Sequence, residues 1–519
     1  MERSNMKIQG VVVGLTLVVF AIYCVALLHT YHGGSPLVSL ADDFFYYAEI
    51  ARRYLQVHYM TFDGTTPTNG YHPLWMWLLT GLLRVCGTSF LPAVLVVTAL
   101  SIAATFPLCF VFLKRAGLGD APAVAFAMAG TAVAATVEVG AMESVVAIPA
   151  VLVLGIYAQR RRFDTARSWF GLGLLCSLAI LCRLDSLLFV GMLVGWEWLL
   201  AGRERWRRAV PLGAGLLPLV IYFMRNRLVF GAFMTVSSRA KQLTVGFHPT
   251  LLPLVSAFGQ LLGIVYLYTL VGIMLLLTER GRADRLRPVY ASAILFPWLQ
   301  IGVLCVVSDW PLEFWYSYSL VLASLATSVL LVRRFGVAER VGLVAGTVAA
   351  LAMLGAVSGK KFHRPVHDSI GGAAAGLAAW SATHPGAIAM GDRAGKVGWL
   401  SPEPLLQLEG LVEDEAYLKR VRAQEDVVAV MKEYGVRYYI ASTSEPAADH
   451  CYHVLEPGRA GEYAAKLHAV LCAAPVFVFQ DKLLAGEVPD CCTGMVSRVF
   501  DLDELVQDDR QRWVARLGR

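Results

Sequence analysis

Long apolar runs recur along the first two-thirds of this 519-residue chain and constrain its fold more than any other feature. They fall at 8–30, 89–113, 121–137, 143–158, 168–182, 186–202, 209–224, 252–277, 288–308, 311–332 and 338–357. A helix needs ~20 apolar residues to cross a bilayer, and most of these runs approach that length. Several middle runs are shorter, about 15–17 residues, which suits helices bordering a polar cavity rather than lipid. With 57% hydrophobic and 16% charged residues, the chain reads as a polytopic α-helical membrane protein. The first run follows Arg3 and Lys7 and shows no small-residue cleavage pattern, so it reads as a retained anchor. A net charge of +6 is small for this length and makes no case for nucleic acid.

Lysine and arginine in short loops set the expected orientation. Basic clusters occur at Lys114–Arg115, Arg160–Arg162 with Arg167, Arg203 to Arg208, Arg280 to Arg287 and Arg333 to Arg340. All five fall on the cytoplasmic side if the N-terminus is cytoplasmic and each run crosses once. One further apolar stretch, His72 to Gly87, must then be a juxtamembrane or re-entrant helix, which gives eleven crossings. The first outer loop spans 31–88 and contains amphipathic helices. The same parity puts Glu138 to Ser144, Arg183 to Asp185, Arg225 to Lys241 and Ser308 to Trp315 on the outer face.

After a membrane domain over 1–358, residues 359–519 change character. AIAMGD (387–392), VRYYIAS (436–442) and PVFVFQD (475–481) read as strands, and 413–434 as one or two helices. This tail is expected to be an extracytoplasmic α/β domain. Its cysteines Cys451, Cys472, Cys491 and Cys492 permit a disulfide there, with the pairing open. The other six cysteines sit in or beside apolar runs and read as packing residues.

The chemistry-bearing residues gather in the outer loops. Asp42 and Asp43 open DDFFYYAEIARRYL, an amphipathic helix expected to lie in the interfacial plane with Glu49, Arg52, Arg53 and Gln56 on its polar face. The pair reads either as a helix N-terminal cap or as a general base with a partner that orients it. The loop TFDGTTPTNGYHPLW follows; it either links two helices or walls a site with Asn69, Tyr71 and His72. Arg225, Arg239 and Lys241 make an outer loop cationic, which suits phosphate or lipid headgroups. Arg183 and Asp185 read as a local ion pair at a hairpin, Glu143 as an N-terminal helix carboxylate or a site residue. Trp310 and Glu313, with Trp315 and Tyr316, read as an aromatic belt or a sugar-stacking wall. A lone acidic pair does not indicate a divalent metal, although it is compatible with one, and no cofactor is expected.

DDFFYYAEIARRYL followed by TFDGTTPTNGYHPLW resembles bacterial membrane glycosyltransferases of the GT-C fold, the group of protein O-mannosyltransferases, aminoarabinose transferases and arabinofuranosyltransferases. GAMES (140–144), CRLDS (182–186), FG…SSRAK (230–241) and MGDRAGKVGWLSPEPLLQLEGLV (390–412) extend the resemblance. It implies transfer of a sugar from a polyprenyl-phosphate donor to a glycan, lipid or protein acceptor at the outer face of a bacterial plasma membrane. It maps the catalytic acid onto Asp42 or Asp43, with the first of the pair favoured, and inversion at the anomeric carbon. It makes Arg183, Arg225, Arg239, Lys241 and His72 donor-phosphate ligands. Sugar or acceptor contacts would come from Asn69, Tyr71, Glu143, Asp185, Trp310 and Glu313. The Asp–Asp pair departs from the Asp–Glu of protein mannosyltransferases, so donor and acceptor stay open. A lipid-linked-sugar flippase is the alternative, but transporters place ionisable groups mid-span in related halves, and no repeat is visible here.

Overall fold

The computed structural model describes residues 2–32, 37, 40–138, 140–160, 163, 165–200, 205–277, 286–335, 368–442, 445–446, 451–482, 494 and 496–505. Ten of the eleven apolar runs coincide with helices. They are α1 (Glu2–His32), α4 (Phe90–Arg115), α5 (Asp120–Val137), α6 (Ser144–Ala158), α7 (Ala166–Cys182), α8 (Leu187–Leu200), α9 (Arg205–Phe230), the pair α11 (Leu252–Gly259) and α12 (Gly263–Leu276), α13 (Arg287–Val307) and α14 (Ser319–Phe335). The eleventh, 338–357, lies outside the described residues, as does the expected boundary near 358.

Among the described residues, five helical stretches are long and apolar enough to span a bilayer. The α11–α12 pair, bent by 108°, makes a sixth if it is one broken span. One of the five, Pro73–Arg115, unites α3 (Pro73–Cys86) with α4 through a 3-10 turn at Gly87–Ser89, so the stretch set aside as juxtamembrane is continuous with the next span. α6 and α7 are apolar but only 15 and 17 residues long. α7 and α9 touch backbone to backbone. A Cβ on Gly173 would lie 2.3 Å from the Leu212 carbonyl oxygen, and Ser177 donates to the Gly215 carbonyl at 3.0 Å. Small residues allow such an approach where hydrophobic burial offers little net gain between helices.

The basic helix ends meet one another. Arg115 donates to the Ile156 carbonyl at 3.0 Å, Arg333 to the Ala116 carbonyl, and Lys114 pairs with Asp120 at 2.6 Å. At the other end lie α2 (Asp42–Val57), the short helix α10 (Val236–Ala240), the 3-10 turn Phe314–Tyr318 and the tail.

The tail opens with α15 (Ser369–Ser381). Its five-stranded sheet contains β1 (Ile388–Met390), β2 (Leu405–Gln407), β3 (Tyr438–Ala441), β7 (Phe477–Gln480) and β8 (Val496–Asp501), in the order β2-β1-β3-β8-β7. β1 is parallel to β2 and β3, whereas β8 is antiparallel to β3 and β7. Helices α16 (Ala394–Leu400), α17 (Glu415–Arg422) and α18 (Val427–Glu433) connect the strands. A second sheet, β4 (Glu445–Pro446), β5 (Tyr452–Glu456) and β6 (Leu467–Leu471), carries the Cys451–Cys472 disulfide. Cys491 and Cys492 lie outside the described residues.

The tail sits directly on the first loop, which changes the reading of α2. Residues Phe44 to Ala51 are buried on every side, Glu49 included. Glu49 pairs with Arg52 and Arg53 (2.5 and 2.7 Å), and Arg52 donates to the Trp399 carbonyl at 2.9 Å while its guanidinium lies 4.6 Å from the Trp399 ring centre. The Glu49–Arg52 part of the polar face expected at the water interface packs instead toward α16, because a guanidinium can satisfy a carboxylate, a carbonyl and an aromatic face at once, whereas Gln56 stays exposed. Farther along the loop, a Cβ on Gly70 would lie 2.0 Å from the Leu411 carbonyl oxygen. Gly70→Ala must therefore push the loop from the tail. A loss of about 1–3 kcal/mol is expected, read as a lowered melting temperature of the purified protein; an unchanged melt would show that this contact is loose.

Candidate functional site

The first turn of α2 is fixed from outside, where the Ala41 N–H donates to the Gly140 carbonyl at 3.0 Å. From this anchored start the two aspartates diverge. Both oxygens of Asp42 accept backbone N–H bonds at the N-terminus of α16, from Gly395 at 2.9 Å and Lys396 at 2.8 Å. Burial pushes the Asp42 carboxyl above its usual range, and those two N–H groups with the Lys396 charge pull part of the way back. Asp43 is half-buried, and no hydrogen bond ties its carboxylate to another described residue. Burial raises it to about 7, Glu313 and Asp42 add to the rise, and Lys241 and Arg459 oppose it.

Behind the pair lies a closed ion network. Arg183, 1% exposed, donates to Glu143 and bonds both oxygens of Asp185 at 3.0 and 3.1 Å. Burial works against its charge, but Asp185 and Glu143 outweigh that and keep it protonated. Burial likewise pushes Glu143 up, while Arg183 and His72 pull it below its usual range. Asp185 also accepts from Gln300 at 2.6 Å and Tyr318 at 2.9 Å, and Tyr47 donates to Glu143 at 3.2 Å. His72 Nε2 lies 3.6 Å from Glu143, and its Nδ1 accepts the Leu184 N–H at 3.2 Å. Burial and Arg183 hold its imidazole below its usual range despite the Glu143 charge.

One chain of contacts leads from this network to Lys241, whose charge acts on Asp43. The Arg183 guanidinium stacks 4.2 Å from the Tyr316 ring centre, and Lys241 Nζ donates to the Tyr316 hydroxyl at 3.1 Å. Lys241 also stands 5.5 Å from the Trp310 ring. Trp310 in turn packs on Ala460 and Ala464 of the tail. Burial opposes the Lys241 charge, but Tyr316, Asp43 and Glu313 together raise its pKa.

The tail supplies Arg459, Glu409 and Glu456, which the sequence reading did not single out, and Asp392, which it met only as the end of a GD turn. Arg459 pairs with Glu313 at 2.5 Å and approaches Asp392 at 3.7 Å. Asp392 follows β1, Glu409 follows β2, and Glu456 ends β5. All three carboxyls are buried and raised by that burial, Glu456 to about 7. Loops at the C-terminal ends of parallel strands commonly hold functional groups. The one signal available was the MGD turn after a predicted strand.

The remaining candidates lie to one side. Arg239 forms a two-pronged pair with Glu415 of α17. Asn69 Oδ1 accepts the Val236 N–H at 2.9 Å. Arg225 is exposed and bonds the buried Tyr71 hydroxyl. The structure thus joins Asp43, Glu143, Arg183, Asp185, Lys241, Trp310, Glu313 and His72 in one assembly, with Asp42 as its hinge to the tail. It sets Asn69, Tyr71, Arg225 and Arg239 beside them.

Such an assembly, at one end of an apolar helical bundle and roofed by an α/β domain, defines a polytopic membrane protein with its polar chemistry at a single end. In the apo state, ArnT from Cupriavidus metallidurans superposes with a TM-score of 0.54 at 15% identity, covering 83% of this chain and 93% of that one. The ArnT structure bound to undecaprenyl phosphate gives 0.53 at 14% identity, with the same coverage. The mycobacterial arabinofuranosyltransferase AftD covers 94% of this chain but 40% of its own, at 13% identity and a TM-score of 0.49. No family model and no curated protein matches the sequence. The ArnT likeness shows the fold: the chain has a GT-C fold.

Two substitutions separate the structural roles. Arg183→Met leaves the buried Glu143 and the half-buried Asp185 without their cation, which costs about 3–5 kcal/mol and should lower the melting temperature sharply. Asp42→Ala should leave the bundle intact but raise amide hydrogen exchange across 394–400, since Gly395 and Lys396 lose their acceptor. Unchanged protection there would show that α16 is held by other contacts.

Proposed function

We propose that the protein transfers a sugar from a polyprenyl-phosphate donor to a hydroxyl of an extracytoplasmic glycan, lipid or protein, with Asp43 as general base. The observation that carries this reading is the divergence of the aspartates. Asp42 spends both oxygens on α16, whereas Asp43 has no hydrogen-bond partner among the described residues, is raised to about 7 and feels the charges of Lys241 and Arg459. A base works best with a pKa near the operating pH, which favours Asp43 over the first acid of the pair.

Asp43 takes the proton of the acceptor hydroxyl as its oxygen attacks the anomeric carbon. The bond from that carbon to the phosphate oxygen breaks on the opposite face, the electron pair leaves with polyprenyl phosphate, and the configuration inverts. Lys241 and Arg459 meet the charge that develops on the departing phosphate. Arg183 is neutralised by two carboxylates, so its part is to position Tyr316 and through it Lys241. The bound undecaprenyl phosphate of a protein of the same fold supports a lipid-phosphate ligand. The Cys451–Cys472 disulfide supports an oxidising compartment for the tail, in keeping with the cytoplasmic N-terminus and plasma-membrane location that the loop charges predict.

Reconstitution with a panel of polyprenyl-phosphate sugars tests this. Asp43→Asn should lower transfer by about 10²–10⁴-fold while the melt is unchanged. Wild-type transfer should rise about tenfold per pH unit below the Asp43 pKa, because only the ionised carboxylate accepts a proton, and level off above about 7. Full activity in Asp43→Asn defeats the base assignment. Sugar translocated without any new glycosidic bond favours the flippase.

A further inference from the structure

The connection between β5 and β6 reads GRAGEYAAK over 458–466, and its small residues let the backbone press closely against the membrane domain. The Cys451–Cys472 disulfide ties this hairpin at its base. Its tip, which carries Arg459, lies on Asp309 just beyond the end of α13. The Asp309 carbonyl accepts the Gly461 N–H at 2.7 Å, and the Asp309 carboxylate accepts the Tyr463 N–H at 2.8 Å. A Cβ on Gly461 would lie 2.2 Å from Asp309 Oδ2, so a larger residue does not fit this seat.

The same tip is stitched to the segment that follows Lys241. Val245 donates to the Tyr463 carbonyl at 2.8 Å and Ala465 to the Leu243 carbonyl at 2.9 Å, while the His248 ring stacks on Tyr463 with centres 4.8 Å apart. Arg459 and Lys241 thus stand on two backbone segments joined to each other, and Asp309 fixes the tip of one to the bundle. Asp309 is 2% exposed and forms no ion pair among the described residues. Lys466 feels its charge but donates to the Ala460 carbonyl at 2.8 Å, inside the same turn. A buried carboxylate without a paired cation is costly unless its oxygens are hydrogen-bonded, and it holds an N–H more strongly than a neutral acceptor does. Here that strength is spent on the turn that carries Arg459. From this turn Arg459 reaches Glu313 and, at 3.7 Å, Asp392. Those two lie on different parts of the chain, so the seat of the backbone decides whether the guanidinium stays between them.

We propose that Asp309 is a positioning residue: by holding the β5–β6 tip through Gly461 and Tyr463, it sets Arg459 where a donor phosphate meets it. This rests on the reading of Arg459 as a phosphate ligand, and it adds a residue that touches neither donor nor acceptor. Asp43 supplies a readout of where Arg459 stands. Glu313 and Asp42 face it and raise its pKa, whereas Lys241 and Arg459 lower it. Withdrawing Arg459 therefore moves the rising limb of the pH–rate profile to higher pH, while loss of a negative charge alone would move it lower.

The test is titration calorimetry of the full-length protein in detergent with undecaprenyl phosphate, beside pH–rate profiles of sugar transfer. Arg459→Met should weaken undecaprenyl phosphate about tenfold. Asp309→Ala and Gly461→Ala should each come within about threefold of that loss, and Asp309→Ala should add less than about twofold on the Arg459→Met background. Asp309→Asn, which keeps an acceptor for the Tyr463 N–H, should recover most of the loss. In transfer, Asp309→Ala and Gly461→Ala should both move the rising limb to higher pH. Melting curves confirm that each variant is folded, and Gly461→Ala, which keeps every charge, carries the test if Asp309→Ala does not fold. The proposal is overturned if Arg459→Met is weakened while Asp309→Ala and Gly461→Ala bind as wild type does. It also fails if the Asp309→Ala loss adds in full to that of Arg459→Met, or if the limb moves to lower pH. Wild-type affinity in Arg459→Met would instead remove the phosphate role given to Arg459, and the proposal with it.

Discussion

The contact on which the site depends is the carboxylate of Asp42 seated on the N-terminus of α16. In many α/β folds the turn after the first strand offers helix N–H groups to a ligand phosphate. Here a side chain from residue 42 takes that position, about 350 residues away in sequence. The partial positive charge of the helix end and the two N–H groups both favour an anion. A carboxylate there serves as an intramolecular ligand, and the α/β domain becomes a roof over the bundle. Trp399, gripped by Arg52, and Gly70, against Leu411, extend the same docking surface. Only with the roof in this place can Arg459 reach Glu313 and face Asp43.

Two kinds of cation occupy this end of the molecule, and burial separates their roles. Arg183 is enclosed and matched by two carboxylates, and further hydrogen bonds from Gln300 and Tyr318 satisfy Asp185. A buried ion network of this type contributes specificity of arrangement more than net stability, because desolvation consumes much of the attraction. Lys241 and Arg459 are only partly enclosed, and their charges remain within reach of an incoming anion. Tyr316 connects the two regimes, with its ring on Arg183 and its hydroxyl on Lys241. A rigid, self-neutralised layer thus holds a responsive one at a fixed distance from Asp43.

Much of the bundle was legible because a bilayer imposes length and polarity on each helix, so ten apolar runs became ten helical regions. Charge bias also sorted the loops: the elements at Glu143, Arg183, Lys241 and Glu313 do meet at one end. What stayed hidden depends on docking. Nothing local to Glu49 or Arg52 indicates that Arg52 packs on Trp399. Arg459 carries no motif, and the 390–412 stretch gives Asp392 and Glu409 no role by itself, since that arises from where strands end once the tail is seated. The Cys451–Cys472 pairing needed β5 and β6 side by side. The two aspartates are equivalent as sequence and differ only in which of them faces α16.

That difference gives the proposed chemistry an order. Burial and neighbouring carboxylates hold the Asp43 pKa up, and Lys241 and Arg459 hold it down. A donor phosphate pairing with those cations would cancel much of the attraction that keeps Asp43 ionised, since the site is only partly open to screening by water. The carboxylate then becomes a stronger base when the donor is seated and a weaker one without it. Once the glycosidic bond has formed, a protonated Asp43 adds no negative charge beside the departing phosphate. In the proposed chemistry the cations assigned to the donor and the base assigned to the acceptor therefore form one electrostatic unit, and the α/β roof is part of that unit because it carries Arg459.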